Sequence, residues 1–215
     1  MSFYVIIPAR YGSERLPGKV LLDIAGKTML QHTYEQAMKS GARQIVIAAD
    51  DNRIKELAHG FGAEVFMTSN QHRSGTERIQ QVITEMGLDS SEVVVNVQAD
   101  EPLIPPSAID RVAKSLRERE SVGISTLCEL ITNNAEVNDP NAVKVVMNKN
   151  SEALYFSRAG IPYNSRKNQN SYYRHIGIYA YRVEVLHQFV RWPISELEHS
   201  ENLEQLRALQ NGIKI

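Results

Sequence analysis

The sequence has little cysteine, no excess of either charge and no long apolar run. Its single cysteine, Cys128, cannot form a disulfide within the chain, and one free thiol in 215 residues fits a reducing cytosol. Lys and Arg number 24 against 25 Asp and Glu, which gives a formal net charge of -1. Proteins that hold long nucleic acids more often carry a basic excess, so we do not expect a nucleic-acid partner.

Signals for secretion or for membrane insertion are also missing. The first apolar run, residues 3–7, has only the length of a strand, and Arg10 follows it closely. A membrane-spanning helix needs about 18 or more consecutive apolar residues, and the sequence offers no such run. We therefore expect a protein that works in the cytosol without inserting into a membrane. The length favours one domain, residues 1–215.

Short apolar runs alternate with helix-length segments through the first 120 residues. The strand-like runs are 3–7, 44–48, 63–67 and 92–97, and the helical segments are 28–39, 50–60, 76–86 and 105–119. Such alternation predicts parallel βαβ units. Strand-like runs at 123–130, 142–147 and 175–182 predict antiparallel additions, and a last helix is expected at 194–209. The predicted fold is α/β, with three layers and a mostly parallel sheet that has helices on both faces.

A basic, glycine-containing loop follows the first strand. Gly12 and Gly18 would let backbone N–H groups approach a phosphate, and Arg10, Arg15 and Lys19 could neutralise a triphosphate. The loop is no Walker A motif, because five residues separate its glycines and no Ser or Thr follows the lysine. Ligands of open α/β sheets bind beyond the carboxyl ends of strands, so the position suits a phosphate site. A solvated surface turn would also explain the pattern.

Acidic residues follow the apolar strand at 92–97. Magnesium prefers carboxylate oxygens and shares its remaining ligand positions with phosphates, so Asp100 is a candidate metal ligand. The alternative is that Asp100 or its neighbour Glu101 simply caps the turn before the next helix, and this alternative is the stronger one for Glu101.

Two further segments carry polar groups with more than one interpretation. Ser74 and Glu77 have the spacing of a helix capping box, which would be a purely structural role. His175 and Tyr179 lie four apart in a strand-like run, so they share one face of the strand. With Arg158 they could bind the carboxylate and hydroxyls of a sugar acid, or they could pack in the core.

Five segments, in this order, resemble the CMP-Kdo synthetase family of sugar-acid nucleotidyltransferases. They are PARYGSERLPGK at 8–19, SGTER at 74–78, QADEP at 98–102, HIGIYAYR at 175–182 and NLEQLR at 202–207. The family usually has Gly where this chain has Ala99. If that backbone required a positive φ, alanine would cost on the order of 1 kcal/mol.

The resemblance implies a reaction and a set of site residues. CMP would pass from CTP to the anomeric hydroxyl of 3-deoxy-manno-octulosonate (Kdo), for lipopolysaccharide biosynthesis, with pyrophosphate leaving and Mg²⁺ as cofactor. The catalytic candidates that grip the triphosphate are Arg10 and Lys19. The nucleotide-binding candidates are Pro8, Ala9, Arg15, Ser74, Gly75, Arg78 and Gln98. The metal ligand would be Asp100, and the sugar-acid contacts would be Arg158, His175, Tyr179, Glu204 and Gln205.

The resemblance also implies a homodimer that forms through the second half of the chain. Family members continue past Ile215 with a strand, a turn that supplies a second metal-binding Asp, and a helix. If this chain lacked them, activity should be weak. Two other functions remain open. One is a cytidylyltransferase for another sugar acid, such as sialic acid or amino-Kdo, with the 164–171 loop and the neighbourhood of Arg158 setting the choice. The other is a CTP-binding regulator without catalysis.

Overall fold

A mixed β-sheet forms the centre of the molecule. The computed structural model describes residues 3–12, 16–165 and 171–215. Within these ranges the main sheet contains β1 (Tyr4–Ala9), β4 (Gln44–Ala49), β5 (Glu64–Met67), β6 (Val93–Asn96), β7 (Ile124–Leu130), β8 (Lys144–Met147), β9 (Ala153–Ser157) and β10 (Tyr173–Arg182). The two short strands β2 (Asp23–Ile24) and β3 (Lys27–Thr28) form a separate hairpin.

The strand order divides this sheet into a parallel and an antiparallel half. The order is β5-β4-β1-β6-β10-β8-β9, with β7 paired to β10. β5, β4, β1 and β6 run parallel to one another, whereas β10 runs antiparallel to β6, β7 and β8, and β9 runs antiparallel to β8. The predicted α/β class, with parallel units first and antiparallel additions in the second half, is confirmed.

Helices cover both faces of the sheet. They are α1 (Met29–Ala37), α2 (Asn52–Gly60), α3 (Gly75–Glu85), α4 (Pro106–Arg117), α5 (Val183–Phe189), α6 (Glu196–Glu201) and α7 (Gln205–Gln210). Short 3₁₀ turns occupy Lys19–Leu21 and Asn134–Val137. Thr28, Asp51 and Ser74 cap α1, α2 and α3 by accepting backbone N–H groups, which satisfies donors that a helix start leaves unpaired.

Alternation along the strands produces two cores, one on each face. In β1, Val5 and Ile7 are fully buried in a cluster with α1, α2 and α4. The intervening Ile6 is fully buried in the other cluster, which contains residues of α3, α5 and α7. Successive strand side chains point to opposite faces, so a strand apolar at every position requires cover on both sides. No helix in the described ranges has the length and apolar character needed to cross a membrane.

The last predicted helix, 194–209, is wrong in one respect. Asn202 adopts a left-handed conformation with φ 52°, which ends α6, and α7 begins three residues later. Asparagine tolerates this conformation better than most residues, so the break falls at a plausible position. The structure also adds β9 and α5, which the sequence analysis did not predict. Ala99 is buried and has no positive φ, so the anticipated strain is absent.

Candidate active site

A pocket of about 170 Å³ opens where β1 and β6 end and α3 begins. Its lining residues are Pro8, Arg10, His72, Arg73, Ser74, Gly75, Arg78 and Gln98. All of these except His72 and Arg73 were candidates from sequence. Carboxyl ends of parallel strands meet at one edge of a sheet, which brings together segments 90 residues apart. We call this pocket, with the 10–19 loop and Asp100 beside it, the nucleotide side.

The basic loop folds back on Tyr11. The Gly18 N–H donates to the Tyr11 carbonyl at 2.9 Å, and Gly18 has a left-handed φ of 71°. A Cβ at Gly18 would lie 3.2 Å from the Tyr11 ring, so this position requires glycine both for its backbone and for its contact. On the ring, the Arg53 guanidinium carbon lies 3.4 Å from the centroid. Arg15 lies outside the described residues, and Ala9 is a buried core residue.

Arg78 is 3% exposed and is held from several directions. Its Nη2 lies 3.1 Å from Asp50 Oδ2, and its Nη1 donates to the Thr68 hydroxyl and the Ser69 carbonyl. Burial lowers the pKa of Arg78, against the opposing effect of Asp50. Arg78 therefore lines the pocket and braces it at the same time. Sequence reasoning missed Asp50, because an Asp directly before a helical segment is explained as a helix cap and gives no further signal.

Ser74 and Gly75 form the wall between α3 and β1. The Ser74 hydroxyl accepts the Glu77 N–H at 3.3 Å, as the capping spacing predicts. Glu77, however, accepts the Arg73 N–H at 2.8 Å instead of closing a full capping box on Ser74. A Cβ at Gly75 would lie 3.2 Å from Pro8 Cγ. The absence of a side chain there lets the start of α3 approach the end of β1.

Lys19 and Asp100 lie next to each other on the nucleotide side. Lys19 Nζ donates to Asp100 Oδ2 at 2.8 Å, and both side chains are partly exposed. Burial and the Asp100 charge raise the pKa of Glu101. The described residues contain no cluster of three or more His, Cys, Asp or Glu suited to a metal. Magnesium needs only one or two carboxylates when phosphates supply other ligands, so Asp100 fits such an ion.

The sugar candidates on β10 lie beside this pocket. Tyr179 pairs with Asn96 of β6, two residues before Gln98, and its ring centroid is 5.3 Å from that of His175. The His175 ring also packs edge-on against Phe156 at 5.0 Å, and its Nε2 lies 2.9 Å from the Thr126 hydroxyl. Burial lowers the pKa of His175 to about 4, so the ring is neutral at neutral pH.

Glu204 and Gln205 follow the α6–α7 break. The Thr76 hydroxyl, at the start of α3, donates to Glu204 Oε2 at 2.9 Å. Glu204 Oε1 and Gln205 Nε2 are buried and have no hydrogen-bond partner among the described residues. Burial raises the pKa of Glu204, although hydrogen bonds from Thr76 and Ser74 oppose that effect. We call His175, Tyr179, Glu204 and Gln205 the sugar-acid side.

Arg158 has a different environment from the other sugar candidates. Its guanidinium donates to the backbone carbonyls of Glu201, Pro140 and Asn202 at 2.7, 2.9 and 3.2 Å. The Glu201 carboxylate in turn accepts the Arg158 N–H at 2.9 Å. These bonds tie the end of β9 to the end of α6. A direct contact from Arg158 to a sugar acid remains a prediction.

Comparison of the sequence and the fold with known proteins first gives the protein family. A family model described as cytidylyltransferase matches residues 4–215. The chain belongs to this family. A solved 4-diphosphocytidyl-2C-methyl-D-erythritol synthase shares the fold with a TM-score of 0.64 at 14% identity, covering 99% of this chain and 87% of that one.

Within the family, the similarity is to one group of enzymes. The 3-deoxy-manno-octulosonate cytidylyltransferases of Coxiella burnetii and Actinobacillus pleuropneumoniae are each 50% identical to all of this chain, which covers 90% and 88% of them. A solved CMP:2-keto-3-deoxy-manno-octonic acid synthetase complexed with CTP is 42% identical, with a TM-score of 0.94, covering 100% of this chain and 88% of that one. The predicted resemblance to CMP-Kdo synthetases is therefore confirmed.

Proposed function

We propose that the protein transfers CMP from CTP to the anomeric hydroxyl of Kdo and releases pyrophosphate. The support is that relatives bearing this activity in their names are about half identical over the whole chain. The likeness to a synthetase complexed with CTP supports a nucleotide in the pocket between β1, β6 and α3.

One feature of the site supports a second substrate that is rich in hydroxyl groups. Glu204 Oε1 is a buried acceptor and Gln205 Nε2 a buried donor, both without partners among the described residues. Leaving such groups unpaired costs about 1–3 kcal/mol each, so a ligand that pairs with them gains affinity. Thr76 joins Glu204 to the wall of the nucleotide pocket, so such a ligand would lie next to CTP.

The residues of the nucleotide side suggest how the transfer is promoted. Arg10 and Lys19 would bind the triphosphate and neutralise the charge that grows on departing pyrophosphate. Asp100 would hold a magnesium ion, which supplies further charge neutralisation on the phosphates when bound. The sugar hydroxyl would attack the α-phosphate in line. Positioning and charge supply most of the catalysis in such a transfer, so no protein nucleophile is assigned.

The direct test is pyrophosphate release from CTP, Kdo and Mg²⁺. We expect release only when all three are present, with CMP-Kdo formed in equal amount. Omission of Mg²⁺ with a chelator should stop the reaction. CTP binding without release would favour the regulator instead. Release that sialic acid or amino-Kdo supports better than Kdo would change the assigned substrate.

We further propose that the protein works as a homodimer in the cytosol and serves lipopolysaccharide biosynthesis. Support for a dimer comes from apolar side chains exposed on the antiparallel half, where Leu130 and Leu154 are 51% and 61% exposed. Light scattering at micromolar concentration should give twice the mass of the chain. A monomer under these conditions would contradict the dimer.

A further inference from the structure

Asp50 and Asp51 are neighbours in sequence but make different contacts. Asp51 accepts the backbone N–H and the guanidinium of Arg53 and caps α2. Asp50 instead directs its carboxylate toward the nucleotide side, and its side chain is only 11% exposed. A carboxylate that is almost fully buried requires compensating partners. Asp50 has two partners, one in the 10–19 loop and one in helix α3.

The first partner is the 10–19 loop. The Tyr11 N–H donates to Asp50 Oδ1 at 2.9 Å, while the Tyr11 carbonyl accepts the Gly18 N–H. Both backbone groups of Tyr11 are therefore used. Arg10 directly precedes Tyr11, and Lys19 directly follows Gly18. The contact between Tyr11 and Asp50 therefore fixes the backbone next to both candidate phosphate-binding residues.

The second partner is the helix that forms the opposite wall. Arg78 lies in α3, one turn beyond Ser74, and its Nη2 is 3.1 Å from Asp50 Oδ2. Arg10 acts on Arg78 as a nearby like charge. The carboxylate of Asp50 offsets this repulsion, because it is bonded to Arg78 and to the residue that follows Arg10.

We propose that Asp50 is a positioning residue that sets the distance between the phosphate loop and the α3 wall, and thereby the affinity for CTP. The inference rests on the proposed function for the identity of the nucleotide. Asp50 itself lines no part of the pocket and is not assigned a contact with substrate. We expect Asp50 to affect CTP binding indirectly, by holding Tyr11 and Arg78 in place.

The test compares Asp50→Asn with Asp110→Asn. Asparagine keeps the shape of the side chain but removes the charge that joins the 10–19 loop to α3. Asp110 also accepts a backbone N–H, that of Gly41 at 2.8 Å, but it lies on α4 away from the pocket, so it is a matched control. CTP dissociation constants are measured by calorimetry without Kdo, and KM values for both substrates by pyrophosphate release.

Asp50→Asn should weaken CTP binding and raise the KM for CTP by about tenfold, with the KM for Kdo within about twofold of wild type. Asp110→Asn should leave all three values unchanged. If Asp50→Asn does not fold, Asp50→Glu replaces it; it keeps the charge but lengthens the side chain, and should weaken CTP binding by about threefold. Unchanged CTP affinity in the folded variant, or equal rises in both KM values, would overturn the inference. If the wild-type protein bound CTP without releasing pyrophosphate, the proposed function would be refuted. The CTP dissociation constants of the wild type and the two variants would still test the role of Asp50.

Discussion

The nucleotide side and the sugar-acid side of the site are built on different principles. On the nucleotide side, charged groups pair with each other: Lys19 with Asp100, and Arg78 with Asp50. On the sugar-acid side, burial keeps His175 neutral, and Glu204 Oε1 and Gln205 Nε2 are buried without a hydrogen-bond partner among the described residues. Under the proposed function, CTP would exchange one set of ionic contacts for another, whereas the sugar acid would pair with groups that are otherwise costly to bury.

The largest expected effect tests the ionic character of the nucleotide side. Asp100→Ala should lower kcat/KM for pyrophosphate release by about a thousandfold, since it removes the proposed metal ligand. Mg²⁺ titration should show that added metal does not restore the rate. The neighbouring Glu101→Gln is the control and should stay within about threefold of wild type. Equal losses in both variants would refute a specific role for Asp100.

The next effect tests whether burial keeps His175, on the sugar-acid side, in its neutral form. The unfolded chain binds a proton on His175 near pH 6.5, but the folded protein does so only at about pH 4. Stability from the neutral ring is therefore present above pH 6.5 and is lost as the pH falls toward 4, by up to about 3 kcal/mol. Urea unfolding at pH 7 and 4.5 should show a smaller acid loss in His175→Gln than in wild type. An equal loss of unfolding free energy between pH 7 and 4.5 in both proteins would show that the histidine is not buried in this way.

A smaller effect distinguishes the two sides through substrate affinity. Glu204→Gln turns the carboxyl group, whose Oε1 is buried without a partner among the described residues, into an amide, and it should raise the KM for Kdo by about tenfold while the KM for CTP changes little. Glu196→Gln, on the neighbouring helix α6, should change neither value. If Glu204→Gln raised the KM for CTP instead, the division of the site into two sides would be incorrect.

The smallest effect concerns the wall between the start of α3 and β1. Gly75→Ala would place a methyl group 3.2 Å from Pro8 Cγ and 3.9 Å from Gln98 Nε2, so we expect the KM for CTP to rise by about threefold. Gly60→Ala is the matched control, because a Cβ there meets nothing within 4 Å. Steady-state kinetics with CTP varied would measure both. An unchanged KM for CTP in Gly75→Ala would show that Pro8 and the start of α3 move apart without affecting the pocket.

Most candidates on the nucleotide side could be predicted because each lies in the loop that follows a strand or at the start of the next helix. A strand followed by glycine and basic residues is a local pattern, and parallel topology then brings such patterns to one edge. The division of work between Asp50 and Asp51 could not be predicted. Either residue could cap a helix, and only the positions of Tyr11 and Arg78 in three dimensions give Asp50 its contacts with the 10–19 loop and α3.

The sugar-acid side shows a different limit of sequence reasoning. The resemblance selected Glu204 and Gln205, but a continuous helix over 194–209 would have placed them on an ordinary surface helix. The break at Asn202 starts a new helix there, and Thr76 meets Glu204 across 128 residues of chain. Arg158 was predicted as a sugar contact, but its donors reach three backbone carbonyls.

The sequence by itself determined the α/β class, the family and most of the loops that line the pocket, because periodicity and short motifs are local properties. Only the tertiary structure decided which of the described buried groups are paired and which are not. Pairing depends on distances of about 3 Å between segments far apart in the chain, and burial depends on everything packed around them. Neither quantity can be obtained from the order of residues along one strand or helix.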